Sequence, residues 1–271
     1  MTAAARKPAL GEDGPVPTPG ALAGDFTEEV LRRAGLRRGM RVLDVGCGSG
    51  DLTLLASWLV GPSGFVLGVD RSAQSLALAE CRAAAAGRSE RIRFTTADLE
   101  QFVPDDRFDA IIGREILMYL ADPAAVLRRL AIRLVPGGIL AFHETSLPPF
   151  RCHPGGELFA RCRSWIIGAL QCAGCDVRMG DKLFATFTAA GLPAPRMTAA
   201  GRVEGGPDSP VYACIAETLR SLLPTIERAG IATAAEVDVD TLAERLRRES
   251  LANDACMMLP PVIGAWTRVP G

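Results

Sequence analysis

The sequence predicts a doubly wound α/β fold, and three observations predict it. Val42-Leu43-Asp44-Val45 is a short apolar strand that runs into glycines at 46, 48 and 50 and then into an apolar-periodic segment from Asp51. Strand-like and helix-like segments go on alternating through residues 41–145. Phe65 to Asp70 is an apolar run that ends in a carboxylate about twenty residues past the last of those glycines, where a ribose-binding acid of a nucleotide fold stands.

The elements follow in order. The glycines remove Cβ atoms, so the chain can turn sharply and a ligand can approach main chain at a helix start. Their spacing, G-x-G-x-G, departs from the dinucleotide fingerprint G-x-G-x-x-G, whose third glycine would fall on Asp51 or Thr53. A carboxylate at 51 would also repel a pyrophosphate, so the turn suits a less anionic ligand. A third strand spans Arg91 to Thr96 and leads into Ala97-Asp98-Leu99; a fourth, Phe108 to Ile112, leads into Gly113-Arg114-Glu115. Helices are expected at about 50–60, 72–86 and 122–134, the last with Asp122 as cap and Pro123 at its first position. A short helix from Asp25 to Gly35, capped by Asp25, precedes the first strand.

Val-Leu-Asp-Val-Gly-Cys-Gly-Ser-Gly at 42–50 resembles motif I of the class I S-adenosylmethionine-dependent methyltransferases, and Leu134 to Phe142 is similar to that family's Pro-Gly-Gly turn and fifth strand. The whole pattern resembles the ubiquinone-biosynthesis-type branch of small-molecule methyltransferases. The resemblance implies a Rossmann-like doubly wound sheet of seven strands and S-adenosylmethionine as cofactor, released as S-adenosylhomocysteine. It implies a cofactor set of Asp44, Gly46, Cys47, Gly48, Gly50, Asp70, Arg71, Asp98, Leu99 and Arg114, with Asp70 on the ribose diol, Asp98 on the adenine amino group and Leu99 on the ring. Two of these keep a structural reading beside the functional one. Asp70 could cap the next helix with Ser72, and Asp44 could serve nearby backbone amides.

Beyond the fifth strand the pattern departs from the minimal fold. An apolar helical segment spans 155–174, a helix near 179–190 and a sixth strand near 194–204 resume the core, and two helices cover Pro210 to Gly230 and Val239 to Ser250. Met257 to Trp266 reads as the seventh strand. The insertions, at about 147–177 and 206–252, follow strands five and six, which points to a helical lid over the acceptor pocket or to a subunit contact. The chain then divides into a loose segment, 1–24, and one methyltransferase domain, 25–271.

Histidine occurs only at 143 and 153, so a general base must come from few residues. His143, expected at the end of strand five and at the crevice mouth, is the first candidate, with Glu115 and Tyr119 past strand four. Glu144 should point to the opposite side of the strand. Leu147-Pro148-Pro149-Phe150 mimics the N/D-P-P-[FY] motif of amino-methylating enzymes, but it follows the wrong strand and lacks the amide or acid. Cys172 and Cys175 have metal-like spacing, yet they continue an apolar helix and read as core, and no metal site is expected.

Composition limits the partners. The formal charge is −1, aromatics are 6%, and no basic stretch is interleaved with them, which argues against nucleic acid. No apolar run is long enough for a membrane span and 1–20 lacks a signal-peptide core, so a cytoplasmic protein is expected, with most of its eight cysteines reduced and buried. Within these limits the resemblance implies transfer of a methyl group to a hydroxyl, or else to a nitrogen or carbon, of a small and mostly apolar metabolite of secondary metabolism, by an enzyme that could form a homodimer. The same motifs would also suit a catalyst that uses the bound cofactor for cyclisation, or a cofactor-binding module without activity.

Overall fold

The structure, a computed structural model, describes residues 24–271. The expected loose segment 1–24 lies outside them, except for Gly24. The described chain is two compact units, one of residues 25–144, 180–198 and 263–271, the other of residues 145–179 and 199–262.

The first unit carries the sheet. Its elements begin with α1 (Gly24–Ala34), β1 (Arg41–Val45), α2 (Asp51–Val60), β2 (Phe65–Asp70), α3 (Ala73–Ala85), β3 (Ile92–Thr96) and β4 (Phe108–Arg114). A 3₁₀ turn at Leu117–Tyr119, α4 (Pro123–Ala131) and β5 (Leu134–Thr145) follow. Seven strands lie in one sheet, in the order β3-β2-β1-β4-β5 and then two strands from later in the chain. The central strands are parallel and buried, as apolar runs such as Val42-Leu43 require. The order reverses between β1 and β4, and that switch point is where such sheets bind ligands.

Capping fixes the helices. Ser72 accepts the amide of Ser75 at the start of α3, and Asp122 that of Ala125 at the start of α4, where Pro123 takes the first turn. Asp25 does not cap α1 as expected. The helix starts one residue earlier, so Asp25 lies in its first turn, where its charge still faces the positive end of the dipole. The Pro-Gly-Gly segment is not a turn ahead of strand five but an irregularity inside it: Phe108 pairs with Leu134 and Ala110 with Ile139.

After β5 the chain forms β6 (Arg151–His153), α5 (Glu157–Cys172), α6 (Met179–Ala189), β7 (Arg196–Ala200), β8 (Val203–Gly205), α7 (Val211–Arg228), α8 (Ala234–Val237), α9 (Val239–Ala252), β9 (Cys256–Met258) and β10 (Val262–Arg268). The sheet is completed in the order β5-β10-β7. Bonds from Gly137 N–H to Pro270 O and from Val269 N–H to Gly138 O pair rising with falling residue numbers, the antiparallel sense.

The second unit corrects the expected seventh strand. Met257-Met258 and Val262–Arg268 are separate strands divided by Pro260-Pro261, because proline supplies no ladder N–H. β9 joins a three-stranded antiparallel sheet, β6-β9-β8, that sequence periodicity did not reveal in strands of three residues. In the same unit α5, α7 and α9 pack on one another, burying Phe159, Cys162 and Trp165 of α5, Ile215 and Leu219 of α7, and Leu242 and Leu246 of α9. Two stretches far apart in sequence thus share one core.

A charge joins these helices at one end. Glu249 of α9 accepts the Leu158 amide at 2.8 Å and the Phe159 amide at 3.0 Å, capping α5 from a neighbouring helix. Gly156 leaves the room, since a Cβ there would stand 2.2 Å from Glu249 Oε2. Glu249→Ala should cost about 1–2 kcal/mol in urea unfolding, and Glu249→Gln about half of that, because the amide oxygen keeps one acceptor.

Candidate functional site

The carboxyl ends of β1, β2 and β4 come together by register. Val45 pairs with Val69 on one side and with Gly113 on the other. The main chain leaves β1 with the amides of Gly46 and Cys47 both donating to Val69 O, at 2.8 and 3.0 Å. Gly46 has φ 69° and Gly50 φ 86°, left-handed values that glycine adopts without strain. A Cβ on Gly46 would also strike Ile116 at 2.4 Å, so this glycine admits a neighbour as well as a turn.

Asp70 organises the turn from the end of β2. Its Oδ2 accepts the Gly48 amide and its Oδ1 the Ser72 amide, each at 2.9 Å. The capping reading and the loop-binding reading therefore hold together. A carboxylate has about four acceptor sites, so two such bonds still leave capacity for the two hydroxyls of a ribose diol. Only 7% of Asp70 is exposed.

Other expected cofactor residues stand in different settings. Asp44 is fully buried, and its Oδ2 accepts the Thr53 hydroxyl at 2.5 Å, a bond that ties β1 to α2. Cys47 is buried beside Gly68, where a Cβ would meet both its sulfur and the Phe94 ring. Arg71 and Asp98 are exposed, and Asp98 Oδ1 accepts the Glu100 amide at 2.9 Å. Leu99 is buried, its carbonyl bound by Arg129.

The sequence reading missed a cluster at the start of α2. Arg82 of α3 donates to Ser49 O at 2.9 Å and pairs with Asp51 at 2.5 Å, while Arg114 at the end of β4 lies 3.5 Å from the same carboxylate. Two guanidiniums thus face one acid, and the repulsion expected of Asp51 is more than balanced locally. Arg82 sits in the last turn of α3, with nothing in its spacing to single it out.

His143 needs correction. Strand five continues to Thr145, so His143 lies within the strand, 2% exposed, rather than at a crevice mouth. Thr27 Oγ1 lies 3.3 Å from its Nε2, the Phe26 ring meets it edge-on at 6.1 Å, and its Nδ1 makes no hydrogen bond among the described residues. Burial, with the charge of Arg114 adjacent in register, lowers its pKa from 6.5 to about 3. Glu144, on the other face, is fully buried and takes three main-chain amides of the turn after β4, at Ile116, Leu117 and Met118. Burial pushes its pKa up to about 8, against those donors and with the charge of Glu115 adding to the rise. A charged residue in an apolar strand was the available signal. Glu115 has φ 48°, with its amide bound to His143 O, and it and Tyr119 are half-buried.

The cysteine pair also reads differently. α5 ends at Cys172, which is exposed, and only Cys175 beyond it is buried. Burial pushes the thiol of Cys162 up to about 12 and that of Cys214 up to about 11, so both stay protonated. Among the described residues no group of three His, Cys, Asp or Glu is placed to hold a metal, and no helix is long and apolar enough to cross a membrane.

Residues 36–170 match a family described as a methyltransferase domain. The chain is 40% identical over 124 residues to the ubiquinone/menaquinone biosynthesis C-methyltransferase UbiE of Azotobacter vinelandii, covering 45% of this chain and 48% of that one. It is 37% identical over 102 residues to a ubiquinone biosynthesis O-methyltransferase of a Bradyrhizobium species, covering 38% of each. The chain therefore spans less than half the length of these curated relatives. In fold it is similar to a SAM-dependent methyltransferase from Geobacter sulfurreducens solved with S-adenosyl-L-homocysteine, with a TM-score of 0.51 at 20% identity over 95% of this chain and 94% of that one.

The depressed His143 sets a pH dependence. It stays neutral in the fold but gains a proton near 6.5 when unfolded, so its contribution is complete above 6.5 and falls away toward 3. His143→Gln should flatten that limb: at pH 5 the wild type should lose about 2 kcal/mol that the variant keeps, read from urea unfolding at pH 5 and 7.5.

Proposed function

We propose that this chain, which belongs to the class I S-adenosylmethionine-dependent methyltransferases of the ubiquinone-biosynthesis type, transfers a methyl group to a small, mostly apolar metabolite. The observation that carries the reading is the Asp70 carboxylate, held between the Gly48 and Ser72 amides with acceptor capacity to spare. When bound, the cofactor supplies a methyl group on a positively charged sulfur. Asp70 would orient its ribose, Gly46, Cys47, Gly48 and Gly50 would give it main chain to lie against, and Asp98 and Leu99 would take the adenine. Arg71 and Arg114 would complete the set, with Arg114 suited to an anionic end group. Asp44 would act from behind the loop, through Thr53.

The proposed acceptor atom is a hydroxyl oxygen, with carbon or nitrogen next, and the relatives named above include enzymes of the first two kinds. His143 would serve as a neutral acceptor rather than a strong base. A base with pKa near 3 takes the hydroxyl proton only as methylation makes it acidic, so proton transfer would come late. Glu115 and Tyr119 are the other candidates at that edge. The insertions at 147–177 and 206–252 would supply acceptor specificity, since in chain order they follow the strands that lead to the carboxyl edge. A near-neutral charge and the absence of an amino-methylating motif after β4 favour a metabolite over nucleic acid.

The test is incubation with methyl-labelled S-adenosylmethionine and an extract of the source cells. Label in a small metabolite, with S-adenosylhomocysteine released in step, supports methyl transfer; tight cofactor binding without label shifts the reading to cyclisation or to a binding module. Asp70→Ala should weaken S-adenosylhomocysteine binding by about 10–100-fold in calorimetry, and unchanged affinity would refute the site. With the labelled acceptor in hand, alanine at both His143 and Glu115 should lower kcat by about 10²-fold or more; unchanged turnover removes the proton-acceptor assignment.

A further inference from the structure

One residue before its end, strand β5 carries a carboxyl group that the proposed reaction does not touch. Glu144 Oε1 accepts the amides of Ile116 at 2.9 Å and Leu117 at 2.8 Å, and Oε2 lies 3.4 Å from the Met118 amide. These are consecutive donors at the start of the 3₁₀ turn, where a helical turn has no carbonyl of its own to offer them. The carboxyl group caps the turn from a neighbouring strand.

The turn needs such an anchor. Glu115, just before it, holds φ 48°, a left-handed value that costs a non-glycine residue of order 1 kcal/mol and persists only under restraint from its surroundings. Its amide is tied to His143 O at 2.9 Å, so two successive residues of β5 grip the turn, one by its carbonyl and the next by its carboxyl group. Ile116 then carries the restraint outward. Its side chain occupies the space where a Cβ on Gly46 would stand, 2.4 Å from its Cδ1 and Cγ1. Gly46 is the first residue of the glycine turn, and Gly113, at the end of β4, leaves room for Phe142 and Ile116 in the same way.

We propose that Glu144 is a positioning residue, whose carboxyl group fixes the Ile116–Met118 turn and, through Ile116 on Gly46, holds the glycine turn in the geometry that receives the adenosyl cofactor. This rests on the cofactor reading above. Burial without the carboxyl group would strand three amides, which makes the acid a requirement of the turn rather than of the chemistry.

Two substitutions at Glu144 separate this from a general loss of stability. Glu144→Gln keeps one carbonyl oxygen, enough for the two bonds that Oε1 makes; Glu144→Met keeps the length and removes every acceptor. In the cofactor-free protein, amide exchange at 116–118 should speed up by about tenfold or more in the Met variant and stay within ~3-fold in the Gln variant, with β1 and β2 still protected. Calorimetry with S-adenosylhomocysteine should follow the same order, about tenfold weaker for Met and within ~3-fold for Gln. Ile116→Ala, which leaves the carboxyl group and its bonds in place, should also weaken binding, and it carries the test if the Met variant does not fold. Wild-type protection at 116–118 in the Met variant overturns the proposal, and so does unchanged affinity in the Met or Ile116→Ala variant. A wild type that fails to bind S-adenosylhomocysteine overturns the cofactor reading itself, an outcome distinct from a wild type and Met variant that bind equally.

Discussion

The chain leaves β1 through Gly46, and the amides of Gly46 and Cys47 both fall on the carbonyl of Val69 in the next strand. That pair of hydrogen bonds forms because β1 and β2 are in register up to Val45 and Val69, and because the backbone at Gly46 is left-handed. From this point the rest of the edge is determined. The loop is brought under Asp70, which takes the amide of Gly48 and then that of Ser72, so one carboxylate sets both the loop and the start of α3. Ser72 in turn caps α3, and α3 returns Arg82 to the loop carbonyl of Ser49. The circuit closes within one stretch of chain, from 45 to 82, and each link is a polar group satisfied at a helix or strand end.

Charge at this edge is arranged in near-compensated sets rather than left bare. Asp51, which alone would make the start of α2 unfavourable for any anionic group, stands between Arg82 and Arg114. A helix N-terminus with two guanidiniums and one carboxylate is mildly positive. The repulsion of a pyrophosphate expected from Asp51 is thereby removed, and the case against a dinucleotide rests on the glycine spacing alone. The pairs are part-exposed, so their value lies in orientation more than in stability.

Much of this was legible in the sequence because the parallel sheet writes itself as apolar runs, and because the loop chemistry demands glycine and a carboxylate at fixed intervals. β1, β2, β4, the helices at 51–60 and 123–131, and Asp70 were placed to within a few residues on those grounds. What escaped had physical reasons. β6, β8 and β9 are three residues each, too short for an alternation to show, and Pro260-Pro261 hid the break between Met258 and Val262 inside one apolar run. His143 is not the last residue of β5, because two buried polar residues, Glu144 and Thr145, carry the strand past the apolar run that sets its expected end. Arg82 and Thr53 act across the fold on partners 33 and 9 residues away, distances that no local pattern encodes. Glu144 was read only by its direction, when its presence in a run of buried positions was itself the signal.

The end of β5 shows how one strand can carry two ionisable groups shifted in opposite directions. His143 and Glu144 are adjacent and both fully enclosed, yet the alternation of a strand sends them to different surroundings. The histidine meets Phe26 and Thr27 of α1 with Arg114 beside it, and burial and that positive charge act in the same direction to keep it neutral. The glutamate also suffers burial, but three amide donors oppose it, so its shift is the net of two large and opposite effects. Among the described residues nothing comparable holds the histidine, whose Nδ1 has no hydrogen bond there. A group with a spare acceptor and little affinity for a proton can receive a hydrogen bond without competing for charge. A group saturated by three main-chain donors can do little but hold them. The two side chains thus keep different company, the histidine a phenyl ring and a hydroxyl of α1 and the glutamate three main-chain amides, although in sequence they are a single His-Glu pair near the end of an apolar strand.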